Sequence, residues 1–193
     1  MDAVAAAAEA IEAGEVIVYP TETVYGLGAD AFSPSAIERI YTLKGRDRDK
    51  PLSVAIPSIA SLDHVARPSS ATRKFIDRFL PGPVTVICRR QPSLPSIVTA
   101  GSDRVGIRIP DHPIATTLLT QTGPLSATSA NRSGHESVRT IEQLDPAIAS
   151  GASVVLDGGT TQGTASTVVD VDREIIHRRG ESVAAVEAWF ETD

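Results

Sequence analysis

The sequence predicts one α/β domain with a twisted, mixed sheet flanked by helices. Two observations support this fold class. Strand-like and helix-like segments alternate along the chain, and no change of composition, internal repeat or low-complexity tract divides it. The chain has 193 residues, of which 41% are hydrophobic, which suits one domain with a sizeable core. We therefore predict a single domain over residues 1–193.

Local signals delimit the elements of the first half. Gly14 suits the end of an alanine-rich helix, and Pro20 ends an apolar strand. Ser33 followed by Pro34 predicts a capped helix start, and Gly45 its end. The predicted elements up to the break at 81–83 are a helix at 2–13, a strand at 15–19, a helix at 33–45, a strand at 52–56 and helices at 59–66 and 71–80.

The second half continues the alternation. Residues 105–109 alternate in polarity as a strand that carries Arg108, and Asp111 suits the N-cap of the next helix. Thr140 and Gln143 have the spacing of a capping box. The predicted elements are strands at 84–89, 105–109, 125–128, 153–157, 167–171 and 175–178, and helices at 111–121, from 140 and at 182–190, with a loop at 91–102.

The net charge of −6 is unevenly distributed along the chain. Seven acidic residues and no Lys or Arg precede Arg39, so the remaining chain is slightly basic, with 18 Lys and Arg against 17 Asp and Glu. The total charge argues against a protein coated for non-specific nucleic-acid binding. It does not exclude a local anion site.

Composition also restricts the compartment. No run of about 18 apolar residues is present, so we expect no membrane span. The opening residues lack the basic start of a secretory signal, and the single cysteine, Cys88, cannot form an internal disulfide. We therefore predict a cytoplasmic protein.

Four loops follow predicted strands or helices and should converge at the site, because α/β proteins bind ligands where the loops after several strands meet. They lie at 20–28, 45–51, 129–137 and 158–166. The second follows a segment, Arg39–Lys50, with five basic residues against two acidic ones. Bases are common at an exposed helix end, but Lys44 and Arg46 can also bind one polyanion together.

Familiar catalytic signatures are missing. The chain has no Walker-type loop, no Gly-x-Ser-x-Gly elbow and no His-Glu-x-x-His motif. Its four histidines are scattered, which disfavours a metal cage. Cys88 lies within a predicted strand, where a buried apolar thiol is the favoured interpretation.

Six ordered motifs carry a family resemblance. They are Tyr19-Pro-Thr-Glu-Thr-Val-Tyr-Gly-Leu-Gly28, Lys44-Gly-Arg46 with Lys50-Pro-Leu52, Pro81-Gly-Pro-Val-Thr85, Val105-Gly-Ile-Arg-Ile-Pro-Asp-His-Pro113, Thr128-Ser-Ala-Asn-Arg-Ser-Gly134 and Ser166-Thr-Val-Val-Asp170. Over about residues 10–182 the chain resembles the YrdC-like family of threonylcarbamoyl-AMP synthases, in its single-domain form.

The resemblance implies a YrdC-like fold with a basic concave cleft. It also implies a nucleotidyltransferase that joins L-threonine, bicarbonate and ATP into threonylcarbamoyl-AMP and releases pyrophosphate. Mg²⁺ is expected with ATP, and the sequence leaves its ligands open. Proteins of a threonylcarbamoyl-transferase complex would then modify tRNA. The carbamate is already an anion, so the reaction needs alignment and charge compensation rather than a protein base.

The resemblance also implies site residues. The predicted catalytic cluster facing the phosphates is Lys44, Arg46 and Lys50. The remaining predicted ATP-binding residues are Arg104, Ser129, Asn131, Ser137 and Arg178. The predicted threonine-binding residues are Thr23, Arg108, Ala127 and Ser166.

The chain departs from the family pattern at several positions. Ala55 stands where many members have histidine, and Leu80 replaces a frequent tryptophan. Arg104 stands where a small hydroxyl residue is frequent, so its direction is open. His177-Arg-Arg-Gly180 differs from the usual Arg-Pro-Gly, which makes Arg178 the better aligned arginine and Arg179 a substitute.

Two rival functions remain at this point. One is a non-catalytic module that binds double-stranded RNA or tRNA, because residues 67–90 hold six bases against one acid. A solvated helix face explains those charges too, and no interleaved aromatic residues support base stacking. The other is a paralogue with altered substrate, such as a carbamoyl-transfer protein of hydrogenase maturation.

Overall fold

A computed structural model of the chain describes residues 3–192, so Asp2, the first residue of the first predicted helix, lies outside the described residues. The α-helices are α1 Ala3–Glu12, α2 Pro34–Lys44, α3 Leu62–Val65, α4 Ser70–Phe79, α5 Pro113–Thr122, α6 Pro146–Gly151 and α7 Val183–Thr192. The strands are β1 Ile17–Tyr19, β2 Gly26–Gly28, β3 Ser53–Ala55, β4 Ala66–Arg67, β5 Val84–Arg90, β6 Arg104–Arg108, β7 Leu125–Ser129, β8 Val154–Val155, β9 Thr167–Asp170 and β10 Ile175–Arg178.

The strands form one mixed sheet, as predicted. Its order is β10-β9-β5-β6-β3-β7-β2-β1-β8, with β4 paired to β5. The pairs β1–β8, β3–β6 and β5–β9 are parallel, and the other pairs are antiparallel. This order brings β2, β3, β6 and β7 together at the centre, although they come from distant parts of the chain.

Alternate residues of β1 face opposite sides of the sheet, and each side has its own core. Val18 belongs to the larger hydrophobic cluster, which includes buried residues of α2 and α4. Ile17 and Tyr19 belong to the smaller cluster, which includes buried residues of α1 and α5. A period of two along the strand therefore yields helices on both faces of the sheet.

The helix α2 confirms its predicted ends. The Ser33 hydroxyl accepts a hydrogen bond from the backbone N–H of Ala36 at 3.3 Å, and Pro34 occupies the first turn. Gly45 adopts the left-handed conformation, φ 57° and ψ 40°, that glycine tolerates best at a helix end. This turn directs residues 45–51 away from the helix axis.

Two predicted helix starts are wrong, and proline explains both. Residues 141–143 form only a 3₁₀ turn, and α6 begins after Asp145, whose side chain accepts from Ala147 N. The residue before a proline disfavours the helical region, so the chain stays extended ahead of Pro146. For the same reason α5 begins at Pro113 after an extended His112, and Asp111 does not cap it.

The C-terminal helix α7 packs on α4 through three aromatic rings. The Phe75 and Phe79 rings of α4 stack with centroids 4.3 Å apart. Trp189 of α7 contacts Phe75 edge-on at 5.5 Å and Phe79 at 6.0 Å. Such aromatic pairs stabilise the packing beyond the contribution of the area that the rings bury. Among the residues described, no helix is long and apolar enough to cross a membrane.

Candidate active site

One cavity of about 540 Å³ lies where the predicted loops meet. Each of the four loops contributes to its wall, for example Thr23, Pro51, Ser137 and Ala165. Residues of the strands β3, β6 and β7 also line the cavity. The convergence predicted from the sequence is thus confirmed.

Arg108 lines the cavity at the end of β6. Its Nη2 donates to the Thr23 hydroxyl at 2.5 Å and lies 3.1 Å from the Glu22 carboxylate. Thr23 and Ala127, two more of the predicted threonine-binding residues, also line the wall. Arg108 therefore forms a structural ion pair and faces the cavity as well.

Arg178 and Ser166 form a second polar group on the wall. Arg178 Nε donates to the Ser166 carbonyl at 2.8 Å, and its Nη2 donates to the Ser166 hydroxyl at 2.7 Å. The Thr85 and Ser166 hydroxyls are 2.9 Å apart. Burial lowers the pKa of Arg178, and nearby Arg108 lowers it further. Arg179 instead pairs with Glu187 at 2.7 Å and is exposed.

Gly180 sets the close approach of this segment to Ser166. A Cβ on Gly180 would lie 2.2 Å from the Ala165 carbonyl oxygen, a backbone atom that cannot swing away. Gly180→Ala should therefore destabilise the fold by about 1 to 3 kcal/mol, which lowers Tm by about 3 to 10 °C in thermal unfolding. Arg179→Ala, which removes an exposed ion pair, should change Tm by less than about 3 °C. Equal shifts for the two variants would contradict this role of Gly180.

Arg104 lines the cavity, and its guanidinium is held by two aspartates. Its Nη2 donates to Asp170, which is 1% exposed, and its Nη1 lies 3.4 Å from Asp172. Asp172 also accepts from the Ser69 hydroxyl at 2.6 Å and the Thr72 hydroxyl at 2.7 Å. The sequence left open which way the Arg104 side chain points, and the structure shows that it points toward Asp170 and Asp172. These carboxylates largely compensate its charge.

Arg46 lines the cavity from the turn after α2. Its Nε donates to the Lys50 carbonyl at 3.1 Å, and its Nη2 donates to the Pro51 carbonyl at 2.9 Å. These partners are neutral, so the guanidinium keeps its full charge for an anion. Lys50 differs from expectation: its ammonium pairs with Asp47 at 2.5 Å, is exposed and does not line this cavity.

Lys44 also differs from expectation, because its ammonium points into the protein. Lys44 is 2% exposed, and its Nζ donates to the Ser129 carbonyl and, at 2.6 Å, to the Asn131 carbonyl. Burial lowers its pKa to about 7, and the neighbouring Arg46 charge contributes. The carbonyl of Ser129, the last residue of β7, and that of the buried Asn131 attract the ammonium. Lys44 therefore holds the 129–131 backbone instead of lining the cavity.

The other predicted nucleotide residues divide in a similar way. Ser129 and Ser137 line the cavity. Asn131 is buried and serves its own loop, since its amide donates to the carbonyls of Arg132 and His135, each at 2.8 Å. No hydrogen-bond donor for its side-chain oxygen occurs among residues 3–192.

Several lining residues were not predicted to have a role. Tyr19, Thr85 and Asp170 stand within motifs quoted for the resemblance, so their motifs were a signal. His177, the first residue of the quoted His177-Arg-Arg-Gly180 segment, also lines the wall, and so does Arg173, which no motif marked. Ala55, paired in register with Arg108, also lines the cavity, so the missing histidine leaves space there. Leu80 is buried in the hydrophobic core and does not line the cavity, so its replacement of tryptophan changes the packing of the core.

A family model described as Sua5, YciO and YrdC, telomere recombination, matches residues 9–180. The chain belongs to this family. The resemblance found in the motifs is confirmed, and so is the fold. Within residues 3–192, no three His, Cys, Asp or Glu side chains are grouped so that they could hold a metal ion.

Named relatives in the Sua5/YciO/YrdC family cover most of the chain. A putative threonylcarbamoyl-AMP synthase of Methanocaldococcus jannaschii is 34% identical over 90% of this chain and 83% of its own. The threonylcarbamoyl-AMP synthase of Bacillus subtilis is 40% identical over 89% of this chain and 51% of its own. The chain therefore spans about half the length of the second relative.

Solved structures of the family agree with the fold. The crystal structure of Pyrococcus abyssi Sua5 complexed with L-threonine has a TM-score of 0.87 and 34% identity, covering 95% of this chain and 56% of that one. Escherichia coli YciO has a TM-score of 0.80 at 24% identity, which shows the fold alone.

Proposed function

We propose that the chain is an L-threonylcarbamoyladenylate synthase, which makes threonylcarbamoyl-AMP and pyrophosphate from L-threonine, bicarbonate and ATP. The observation that carries the proposal is that two arginines from separate elements line one cavity: Arg108 at the end of β6 and Arg46 in the turn after α2. Relatives with this name and a relative complexed with L-threonine support it. The enzyme class is thus a nucleotidyltransferase.

The reaction brings two anions together. The threonine amine attacks the carbon of bicarbonate, water leaves, and an N-carboxylate remains. One oxygen of this carbamate attacks the α-phosphorus of ATP, and the bond from that phosphorus to the pyrophosphate oxygen breaks. At about 4 Å, two unit charges repel by roughly 4 kcal/mol at an intermediate dielectric. Cations on the cavity wall offset this repulsion.

The chain's residues suit the two ends of the reaction. Arg108 would bind the threonine carboxylate beside Thr23, since a guanidinium matches a carboxylate in two-point contact. Arg46 would face the triphosphate, with Arg178 and the Ser129 and Ser137 hydroxyls on the nucleotide. Arg104 also lines the cavity, but its guanidinium is paired with Asp170 and Asp172.

Mg²⁺ enters, in this proposal, with ATP and supplies charge compensation at the phosphates. Mg²⁺ is usually bound by one or two carboxylates together with substrate phosphates. Asp170 is the carboxylate on the cavity wall, and it pairs with Arg104 and, at 3.7 Å, with Arg173. We therefore propose that the triphosphate, rather than an aspartate of this wall, is the main ligand of the ion.

The product would pass, in the cytoplasm, to threonylcarbamoyl-transferase proteins that modify tRNA. Direct RNA binding by residues 67–90 is less well supported by their contacts. Arg73 pairs with Asp63 at 2.6 Å, and Arg90 donates to the Leu94 carbonyl. These guanidiniums are partly occupied within the protein, which weakens a phosphate-tracking surface.

Pyrophosphate release tests the proposed function. Purified protein with ATP, Mg²⁺ and bicarbonate should release pyrophosphate when L-threonine is added, and release should fall to background without it. Mass spectrometry should detect threonylcarbamoyl-AMP as the product. Release that does not depend on threonine, or product formation with another carbamoyl acceptor, would refute the proposal and favour the carbamoyl-transfer alternative.

A further inference from the structure

Glu22 is a buried carboxylate that lies behind Arg108. The Glu22 and Arg108 side chains are 11% and 12% exposed, and Glu22 Oε1 is 3.1 Å from Arg108 Nη2. This contact does not have hydrogen-bond geometry, and both Glu22 oxygens and Arg108 Nε lack a partner among the described residues. Arg108 lines the cavity, but Glu22 does not. A carboxylate charge is thus held directly behind the arginine that faces the ligand.

The two rings near Glu22, those of His112 and Tyr19, carry no positive charge at pH 7. Burial lowers the pKa of His112, with the Glu22 charge opposing that shift, and the His112 Nδ1 has no hydrogen-bond partner in the described part of the chain. Burial raises the pKa of Tyr19 to about 12, so its hydroxyl stays protonated. Neither ring supplies a cation, and Arg108 and Glu22 remain as a neutral pair of opposite charges.

The Arg108–Glu22 pair contributes differently to the binding of ligands that carry different charges. A simple carboxylate is attracted by Arg108 and repelled by Glu22, and the repulsion is little screened because Glu22 is buried. A free amino acid carries an ammonium one carbon away from its carboxylate. When Arg108 holds the carboxylate, this ammonium is repelled by Arg108 and attracted by Glu22. The Glu22 charge therefore favours the amino acid over a carboxylate that lacks the amine.

We propose that Glu22 is a specificity-determining residue, which makes the cavity select a free amino acid over a carboxylate that lacks the amine. The inference rests on the proposed function, because Arg108 is taken as the carboxylate site. It deepens that function by explaining how the pocket recognises the amine before carbamate forms. Glu22 acts through its charge and not through contact with the reacting atoms.

The test compares two ligands that differ only in the amine, L-threonine and the matching stereoisomer of 3-hydroxybutyrate. Their dissociation constants are measured by calorimetry on the whole chain, without turnover. Wild-type protein should prefer threonine by at least about tenfold, and Glu22→Gln should reduce that preference by about tenfold or more. Glu22→Asp, which retains the charge, should keep most of the preference.

Glu187→Gln is the matched control, because it removes the carboxylate of an exposed Arg–Glu pair of 2.7 Å. It should leave the preference unchanged. If Glu22→Gln weakens the binding of both ligands by the same factor, Glu22 serves only to position Arg108. If it strengthens the binding of both ligands equally, Glu22 serves only to compete with them for Arg108. Either result overturns the proposal.

Wild-type protein supplies a test that does not depend on folding of the variant. Equal binding of threonine and 3-hydroxybutyrate by the wild type would overturn the inference, even if Glu22→Gln failed to fold. Wild type that releases pyrophosphate with threonine but shows no preference refutes the role of Glu22 alone. Wild type that binds neither ligand refutes the proposed function together with it.

Discussion

Arg46→Ala is expected to lower kcat/KM for ATP in pyrophosphate release by about 10²- to 10³-fold. Arg46 lines the cavity and donates only to the neutral carbonyls of Lys50 and Pro51 in the described structure. Its charge is therefore available to the triphosphate as the carbamate approaches. Steady-state kinetics at varied ATP, with threonine saturating, measure this loss.

Two further variants isolate the role of the Arg46 charge. Arg48→Ala removes a guanidinium two residues away that pairs with Glu38 and is exposed, so its activity should stay within about threefold of wild type. Arg46→Lys keeps the charge without the planar fork and should be intermediate. Arg46→Ala with wild-type kinetics, or with a loss no larger than that of Arg48→Ala, would refute the assignment.

Lys44→Met is expected to affect both stability and activity. Methionine cannot donate to the Ser129 and Asn131 carbonyls, and leaving buried carbonyls unpaired costs about 1 to 3 kcal/mol. Movement of the 129–137 loop by about 1 Å would lower kcat by about 10²-fold. Urea denaturation and pyrophosphate release measure the two effects. Lys50→Met, at an exposed ammonium, should change neither strongly.

The stability effect of Lys44 should depend on pH with a defined sign. Its pKa is about 7 in the folded chain, against an ordinary value of 10.5. Between these values the unfolded chain binds more protons, so the free energy of unfolding rises with pH, by up to about 1.4 kcal/mol per pH unit. Below pH 7 this contribution stays constant.

Subtracting the Lys44→Met values isolates the titration of Lys44. The difference in unfolding free energy, wild type minus Lys44→Met, should therefore increase from pH 7 to pH 9. A difference that is flat or that decreases over this range would show that burial does not lower the pKa of Lys44.

Elements with local signals could be predicted from the sequence, and the others could not. The bounds of α2 follow from Ser33 and Gly45, which act within one turn of the chain. The strand β2 was missed, because glycine is uncommon in strands. It forms because the Tyr19 ring fills the space beside Gly28, where a Cβ would lie 2.9 Å from Tyr19 Cε1. That contact depends on the pairing of two strands and is not visible in the local pattern.

The candidate site shows the same division. The motifs identified which segments meet, and Arg46, Arg108 and Arg178 do line the cavity. They did not show which way each charge points. Lys44 turns inward because carbonyls of residues 129 and 131, more than 80 positions away, lie beside α2 in the folded chain. Charge spacing locates a cationic segment, whereas burial decides which of its members face the ligand.

The aromatic contact between α7 and α4 gives the molecule a built-in optical probe. Trp189 is the only tryptophan in the chain, and its ring touches Phe75 and Phe79. Its fluorescence therefore reports whether α7 is docked, whereas far-ultraviolet circular dichroism reports the helices and sheet as a whole. Coincident denaturation curves from the two signals would establish that α7 unfolds cooperatively with the rest of the domain. A fluorescence transition at lower urea would identify the C-terminal helix, next to the strand of Arg178, as the first part to detach.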